Sequence, residues 1–267
     1  MPKLNEIIPV IESVAPPGLA EAWDNSGLQF GHPDAVIRRI MVGLDPTPEA
    51  VREAAEFGAG LLLTHHPFFF GTVKRLDFGY GQGEALAFAV RAGLAVYSAH
   101  TSFDSANPGV SDSLADVLGL LDRRPLEPAR GRTDGAGLGR VGRLPSEVTA
   151  LEAAEAIKED LGCAYVRLVG DPGRTVRSAA FCGGSGGSLI DKVIETGADL
   201  YVTGDVKYHE ALRALEAGLI VIDVGHYHSE RFAMPMLARL ISDGLAAAGL
   251  EVEVAVSGLS AEPWREV

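Results

Sequence analysis

Short apolar runs of strand length alternate with amphipathic helical stretches along the whole chain, and this alternation is the strongest constraint on its fold. Ile37–Leu44 reads as a buried strand, Pro48–Phe57 as a helix and Leu61–Leu63 as a second strand. A helix over Gly83–Ala92 then leads to a strand at Leu94–Ser98, and another helix follows at Val110–Leu118. The chain opens with one helical face, Leu4, Ile7, Ile8, Ile11 and Val14, closed by Pro16-Pro17. The pattern predicts an α/β fold with parallel strands.

The second half continues in the same style. It reads as strand Leu138–Leu144, helix Val148–Asp160, strands Tyr165–Val169 and Val176–Cys182, helix Gly187–Glu195 and strand Asp199–Thr203. Helix Tyr208–Glu216, strand Leu219–Val224, a long helix from Ser229 to Ala248 and a last strand near Glu251–Val256 complete it. At 267 residues the chain exceeds the usual domain size of about 100–150. The segment Asp122–Thr133 has low apolar density and two prolines, so the boundary is expected there. The expectation is two similar α/β lobes, 1–125 and 126–249, each a sheet flanked by helices, with a strand from 250–267 packing back on the first.

Composition narrows the function. The 36 acidic against 23 basic side chains give a formal charge of −13, which opposes unassisted binding to nucleic acid or anionic lipid. No stretch reaches the roughly 18 apolar residues of a membrane span, and Met1-Pro2-Lys3-Leu4-Asn5-Glu6 has no signal-peptide core, so a cytoplasmic location is expected. Cys163 and Cys182 lie in no CxxC pattern and read as buried small hydrophobes. Any bound metal is therefore expected on nitrogen and oxygen.

Six of the seven histidines fall in four short motifs where a predicted strand ends or a helix begins. These are Thr64-His65-His66-Pro67, His100-Thr101-Ser102-Phe103-Asp104, Lys207-Tyr208-His209-Glu210 and Gly225-His226-Tyr227-His228-Ser229-Glu230, with His32 apart. Imidazole is the commonest metal ligand, and several at element ends beside acidic residues are how a chain gathers a metal site from distant segments. Open α/β sheets bind ligands beyond the carboxyl ends of strands. The site is expected in the cleft between the lobes.

Residue by residue, the readings differ in sharpness. His65 and His66, at a strand end where Pro67 turns the chain, can diverge toward two neighbouring metals or serve as polar turn residues. Asp104 can bridge two cations, or cap a helix or turn near Asn107-Pro108-Gly109. His100 reads as a ligand, a hydrogen-bonding support, a proton shuttle or a satisfied core histidine. His226 and Glu230, spaced i, i+4, share a face if the helix has begun, and are favoured over the extended pair His226 and His228. Asp205 reads first as a helix cap, and His209 as a substrate contact. The run Cys182-Gly183-Gly184-Ser185-Gly186-Gly187-Ser188 is open to phosphate binding or to a tight structural turn.

Taken in order, Trp23-Asp24-Asn25-Ser26-Gly27-Leu28, Thr64-His65-His66-Pro67, His100 through Asp104, Thr203-Gly204-Asp205 with Lys207-Tyr208-His209, and Gly225-His226 through Glu230 resemble the NIF-three-like proteins, also named GTP cyclohydrolase type 2 homologues. The resemblance implies a dinuclear metal centre on His65, His66, Asp104, His226 and Glu230, and a ring-shaped homohexamer. It also implies the short form, because Asp122–Thr133 has no room for the domain that larger members insert. The implied reaction is hydrolytic opening of the guanine imidazole ring of GTP by a metal-bound hydroxide, with loss of formate, and His100, His209 and His228 are the candidates to move protons. A metal-dependent phosphoesterase is the alternative enzyme, and a non-catalytic metal-binding or regulatory hexamer the alternative class. The imidazole and carboxylate set suits two divalent ions of zinc, iron or manganese. The expected partner is a small molecule such as a nucleotide, with no membrane; the surplus of acid argues against nucleic acid on most of the surface, although Arg123-Arg124 and Arg130 to Arg143 are locally basic.

Overall fold

Described over residues 1–259 and 262–265 in a computed structural model, the chain divides into two units. One is Met1–Phe103 together with the segment from Met234 onward, and the other is Asp104–Ala233. The chain runs through α1 (Leu4–Val14), β1 (Gly27–Phe30), β2 (Arg39–Gly43), α2 (Pro48–Glu56), β3 (Leu61–Thr64), α3 (Gly81–Ala92) and β4 (Ala95–Ser98). The single turn α4 (Thr101–Asp104) ends on the first residue of the second unit. There follow α5 (Val110–Asp116), β5 (Leu121–Arg124), the short pair β6 (Glu127–Pro128) and β7 (Gly137–Leu138), β8 (Arg140–Thr149) and α6 (Ala150–Leu161). Next come β9 (Arg167–Val169), β10 (Thr175–Ser185), α7 (Ile190–Thr196), β11 (Leu200–Gly204), α8 (Tyr208–Glu216), β12 (Ile220–Asp223) and α9 (His226–Glu230). Finally α10 (Ala233–Ala247) and β13 (Glu253–Val256) return the chain to the first unit.

In the first unit the sheet order is β1-β4-β3-β2-β13, parallel except for the antiparallel edge strand β1. Register places Met41, Leu62 and Val96 on one face, where they pack with Val51 and Ala54 of α2 and Ala85 and Ala89 of α3. Ile40, Val42, Leu61, Leu63 and Tyr97 alternate with these and are equally buried. Burial on both faces is why these strands read as unbroken apolar runs. Thr47 caps α2, its hydroxyl accepting from the Ala50 amide at 3.2 Å, and Pro48 fits the first helical position because no intrahelical bond needs its N–H.

The second unit holds a sheet of order β5-β8-β10-β11-β12-β9. Phe181, Val202 and Ile222 pack with Leu114 of α5 and with Ala153 and Ile157 of α6, while Ala180, Tyr201 and Val221 pack with Val193 of α7 and Ala214 of α8. Cys163 lies in the first of these clusters and Cys182 in the second, and both are buried. β8 runs straight into α6 through Thr149, which closes a capping box: its hydroxyl accepts from the Glu152 amide, and Glu152 accepts from the Thr149 amide at 2.7 Å.

Three sequence expectations change. Strands β10, β11 and β12 are parallel, but β5, β8 and β9 pair antiparallel. A strand covered on both faces shows an apolar run whatever its direction, so local pattern carries no sign. The expected boundary at 122–133 lies inside the second unit, because β5 pairs with β8 and Leu114 and Ala115 of α5 sit in that unit's core. The expected single helix over Ser229–Ala248 is two helices, α9 and α10, broken near Arg231. Pro235 has no N–H for the Arg231 carbonyl and its ring crowds that carbonyl, which disfavours a continuous helix there, while in the first turn of α10 the missing donor costs nothing. Among the described residues, no helix is long and apolar enough to cross a membrane.

Candidate metal centre

Parallel pairing aligns Thr64 of β3 with Ser98 of β4, so the residues just past these two strands emerge side by side. They are His65 and His66 after β3 and His100 after β4. One ring nitrogen from each of the three lies within 4.8 Å of the others. Their ring centroids are 5.1 Å (His65–His66), 5.2 Å (His65–His100) and 5.7 Å (His66–His100) apart.

Each of these imidazoles has its Nδ1 held by an oxygen. His65 meets the Ala99 carbonyl at 2.9 Å, His66 the Asp45 carboxylate at 2.7 Å and His100 the Asp24 carboxylate at 2.7 Å. Such a contact fixes the ring and places a proton on Nδ1, so Nε2 is the nitrogen suited to bind a metal. The backbone is held as firmly. The His66 carbonyl accepts from Thr64 Oγ1 at 2.8 Å and Ser98 Oγ at 3.2 Å, and the His65 and His66 amides donate to Gly43 and Leu44.

Asp24 is the hub of this arrangement. Its side chain is 0% exposed and accepts from His100, from the Thr101 amide and hydroxyl, from Ser26 Oγ and from the Asn25 amide. Burial works to raise its carboxyl, but the hydrogen bonds from His100, Ser26 and Thr101 outweigh it and hold the group well below the usual carboxylate range. The sequence reading gave Asp24 no role of its own and missed Asp45. Both are legible in hindsight as carboxylates two or three residues from a strand end.

In the second unit, Gly225 takes φ 77°, a left-handed turn that suits glycine, and releases the chain from β12 into α9. One helical turn then sets His226 Nε2 3.1 Å from Glu230 Oε2. The i, i+4 pair is thus brought together, and His226 meets both Glu230 and Asp205. His226 Nδ1 meets Asp205 Oδ2 at 2.8 Å, the same anchoring seen in the first unit. Asp205 sits at φ 55° and also accepts from Ser185 Oγ at 2.9 Å. Burial opposes ionisation of Asp205, yet His226 and Ser185 hold its carboxyl below the ordinary value. The capping role expected of Asp205 does not apply, because Lys207 occupies the N-cap of α8.

Glu230 is 3% exposed, and the glycine-rich loop folds over it. A Cβ built on Gly184, at φ 65°, would overlap Glu230 Oε1 well inside the 3.0 Å that real Cβ atoms keep, and one on Gly187 would overlap the Glu210 carboxylate. Two loop amides are already engaged, Gly184 with Ser229 Oγ at 2.8 Å and Gly186 with the Gly184 carbonyl. Close approach accounts for these glycines, as the structural-turn reading requires. Asp104 and Glu230 both act on the buried Cys182 thiol, which burial first, and then these two charges, push up. His209 is exposed with its ring against Tyr208, and His228 is half-buried with its ring against Tyr227.

Two α/β units, one carrying three anchored imidazoles and the other an anchored His–Glu pair, define a protein with the donors for metal binding. The chain belongs to the Duf34/NIF3 (NGG1p interacting factor 3) family, whose profile matches residues 2–263. It is similar to a Clostridium perfringens protein named GTP cyclohydrolase 1 type 2 homolog, at 35% identity covering 98% of each chain. It is also similar to NIF3-like protein 1 of Drosophila melanogaster, at 32% identity over 90% of this chain and 84% of that one. Among solved structures, a Bacillus cereus protein related to NIF3 superposes with a TM-score of 0.94 at 26% identity, over 100% of this chain and 99% of that chain.

Proposed function

We propose that this protein is a metal-dependent hydrolase that opens the imidazole ring of GTP with loss of formate, holding two divalent ions on His65, His66, Asp104, His226 and Glu230. The observation that carries the reading is the anchoring of four imidazoles, His65, His66, His100 and His226, each with Nδ1 on an oxygen acceptor. Imidazoles so held present Nε2 as a ligand, and their supports raise its basicity. Asp104 and the buried Glu230 add the negative charge that dications require. This donor set fits zinc, iron or manganese.

Divalent ions held on these residues would bring the pKa of bound water toward neutrality. The remaining work belongs to the chain. His100, fixed by Asp24, is oriented to move a proton, and His209 and His228 are the further candidates for that role. The GTP assignment is supported by the names of relatives such as the Clostridium perfringens protein. The proposal includes a cytoplasmic, ring-shaped homohexamer of 28.1 kDa protomers acting on a small-molecule nucleotide.

Protein reconstituted with zinc, manganese or iron should release formate from GTP, and His65→Ala and His66→Ala should each lower both bound metal and turnover. Failure to retain any of the three metals refutes the metal centre. Metal retention with phosphoester hydrolysis and no formate refutes the GTP ring-opening assignment. Light scattering that gives a mass other than six protomers refutes the hexamer.

A further inference from the structure

We infer that Trp23 and Phe70 form a stacking shelf for the planar heterocycle of the substrate, a purine base, beside His100. Trp23 is 64% exposed and Phe70 72% exposed, although both are large apolar rings. Their centroids lie 6.0 Å apart at 55°, so one ring offers a face while the other supports it at an angle. Both flank the same imidazole: His100 lies 5.9 Å from Trp23 and 6.1 Å from Phe70, edge-on to each. His100 in turn faces His65 and His66. A ring stacked on the shelf is therefore delivered next to the cluster of imidazoles.

The shelf is held in place rather than loosely exposed. Trp23 immediately precedes Asp24, whose buried carboxylate ties the loop to His100, Thr101 and Ser26. Phe70 follows Phe69, whose carbonyl accepts from Asn25 Nδ2 at 2.8 Å and whose amide donates to Gln29 Oε1 at 3.1 Å. The two loops are thus stitched to each other next to the aromatic pair. Rings kept in water by a preorganised backbone keep their π faces available, and base stacking on such rings tolerates any planar heterocycle. The choice of a purine rests on the hydrolase reading above, while the existence of a stacking surface does not.

The chain has two tryptophans, and Trp264 is 80% exposed, so Trp264→Phe leaves Trp23 as the single reporter. Guanosine added to this metal-loaded protein should quench Trp23 emission, and ribose 5-phosphate should not. By calorimetry, Trp23→Ala and Phe70→Ala should each weaken guanosine binding roughly tenfold, with Trp23→Phe recovering part of the loss. Both side chains are exposed, so thermal melts of the variants should match the parent. Equal quenching by ribose 5-phosphate, or guanosine affinity unchanged in both alanine variants, overturns the shelf. So does a fall in oligomer mass with guanosine affinity intact, which would make the pair a contact between copies. Guanosine quenching without formate release keeps the shelf and refutes the hydrolase; formate release with unchanged KM in both variants refutes the shelf alone.

Discussion

Replacing Gly184 by Ala tests whether the glycine-rich loop exists to let the backbone close over Glu230. Two costs arise. The residue sits at φ 65°, where a side chain costs about 1–2 kcal/mol. The new methyl would also overlap Glu230 Oε1, a buried carboxylate with little room to retreat, and overpacking of this kind costs about 1–3 kcal/mol. Gly197→Ala separates the two, because Gly197 has φ 74° in the same unit and a Cβ there meets nothing within 4 Å. Gly197→Ala should therefore show the backbone cost alone, and Gly184→Ala roughly twice that, about 2–5 kcal/mol. At about 2–4 °C per kcal/mol for a chain near this size, Gly184→Ala should melt about 4–20 °C below the parent. Displacing Glu230 should also lower the metal content measured by elemental analysis, whereas Gly197→Ala should leave it unchanged. Equal melting points and equal metal content in the two variants would refute the close-approach account.

Other expectations separate buried from exposed interactions. Arg140 is 2% exposed and donates to both oxygens of Asp112 and to the carbonyls of Ala106, Gly137 and Gly139, so Arg140→Ala should cost about 3–5 kcal/mol in denaturant unfolding. Arg143 makes a similar two-nitrogen contact with Asp122, but both side chains are about two-thirds exposed, so Arg143→Ala should cost less than about 1 kcal/mol by the same measurement. Thr149→Ala removes the cap of α6 and should cost about 1 kcal/mol. Asp24→Asn replaces one acceptor oxygen by an amide, so it should lose about 1.5–3 kcal/mol and broaden or shift the His100 ring resonances in an NMR spectrum.

Legibility in the sequence followed burial. Strands β2, β3 and β4, covered on both faces, stood out as apolar runs, and Tyr208–Glu216 was read with the same ends that α8 has. The edge strand β1 escaped notice because Gly27-Leu28-Gln29-Phe30 is half-buried and carries no run, and β5 because Leu121-Asp122-Arg123-Arg124 is mostly exposed. Those two edge strands also hid the organisation. With β5 unseen, nothing in the sequence tied residues 104–125 to the second unit, and the proline pair at 125 and 128 looked like a linker instead of part of a sheet margin.

The site was legible in its histidines and illegible in what holds them, and one physical reason covers both. A histidine just past a strand is a local feature, visible wherever an apolar run stops. Its anchor is not local, because in every case it lies at the same sheet margin on the neighbouring strand. Asp45 follows β2, which pairs with β3 and so meets His66; Ala99 follows β4, the other neighbour of β3, and meets His65. Asp205 follows β11, which pairs with β12, and meets His226. Asp24 precedes β1, whose antiparallel pairing sets Gly27 opposite Ser98 and brings the carboxylate to the same margin as His100. Strand order and direction therefore determine which oxygen meets which imidazole, and periodicity of a single strand encodes neither. Once the order β1-β4-β3-β2 is known, the carboxylate or carbonyl oxygens one to three positions beyond the facing ends follow as the anchors.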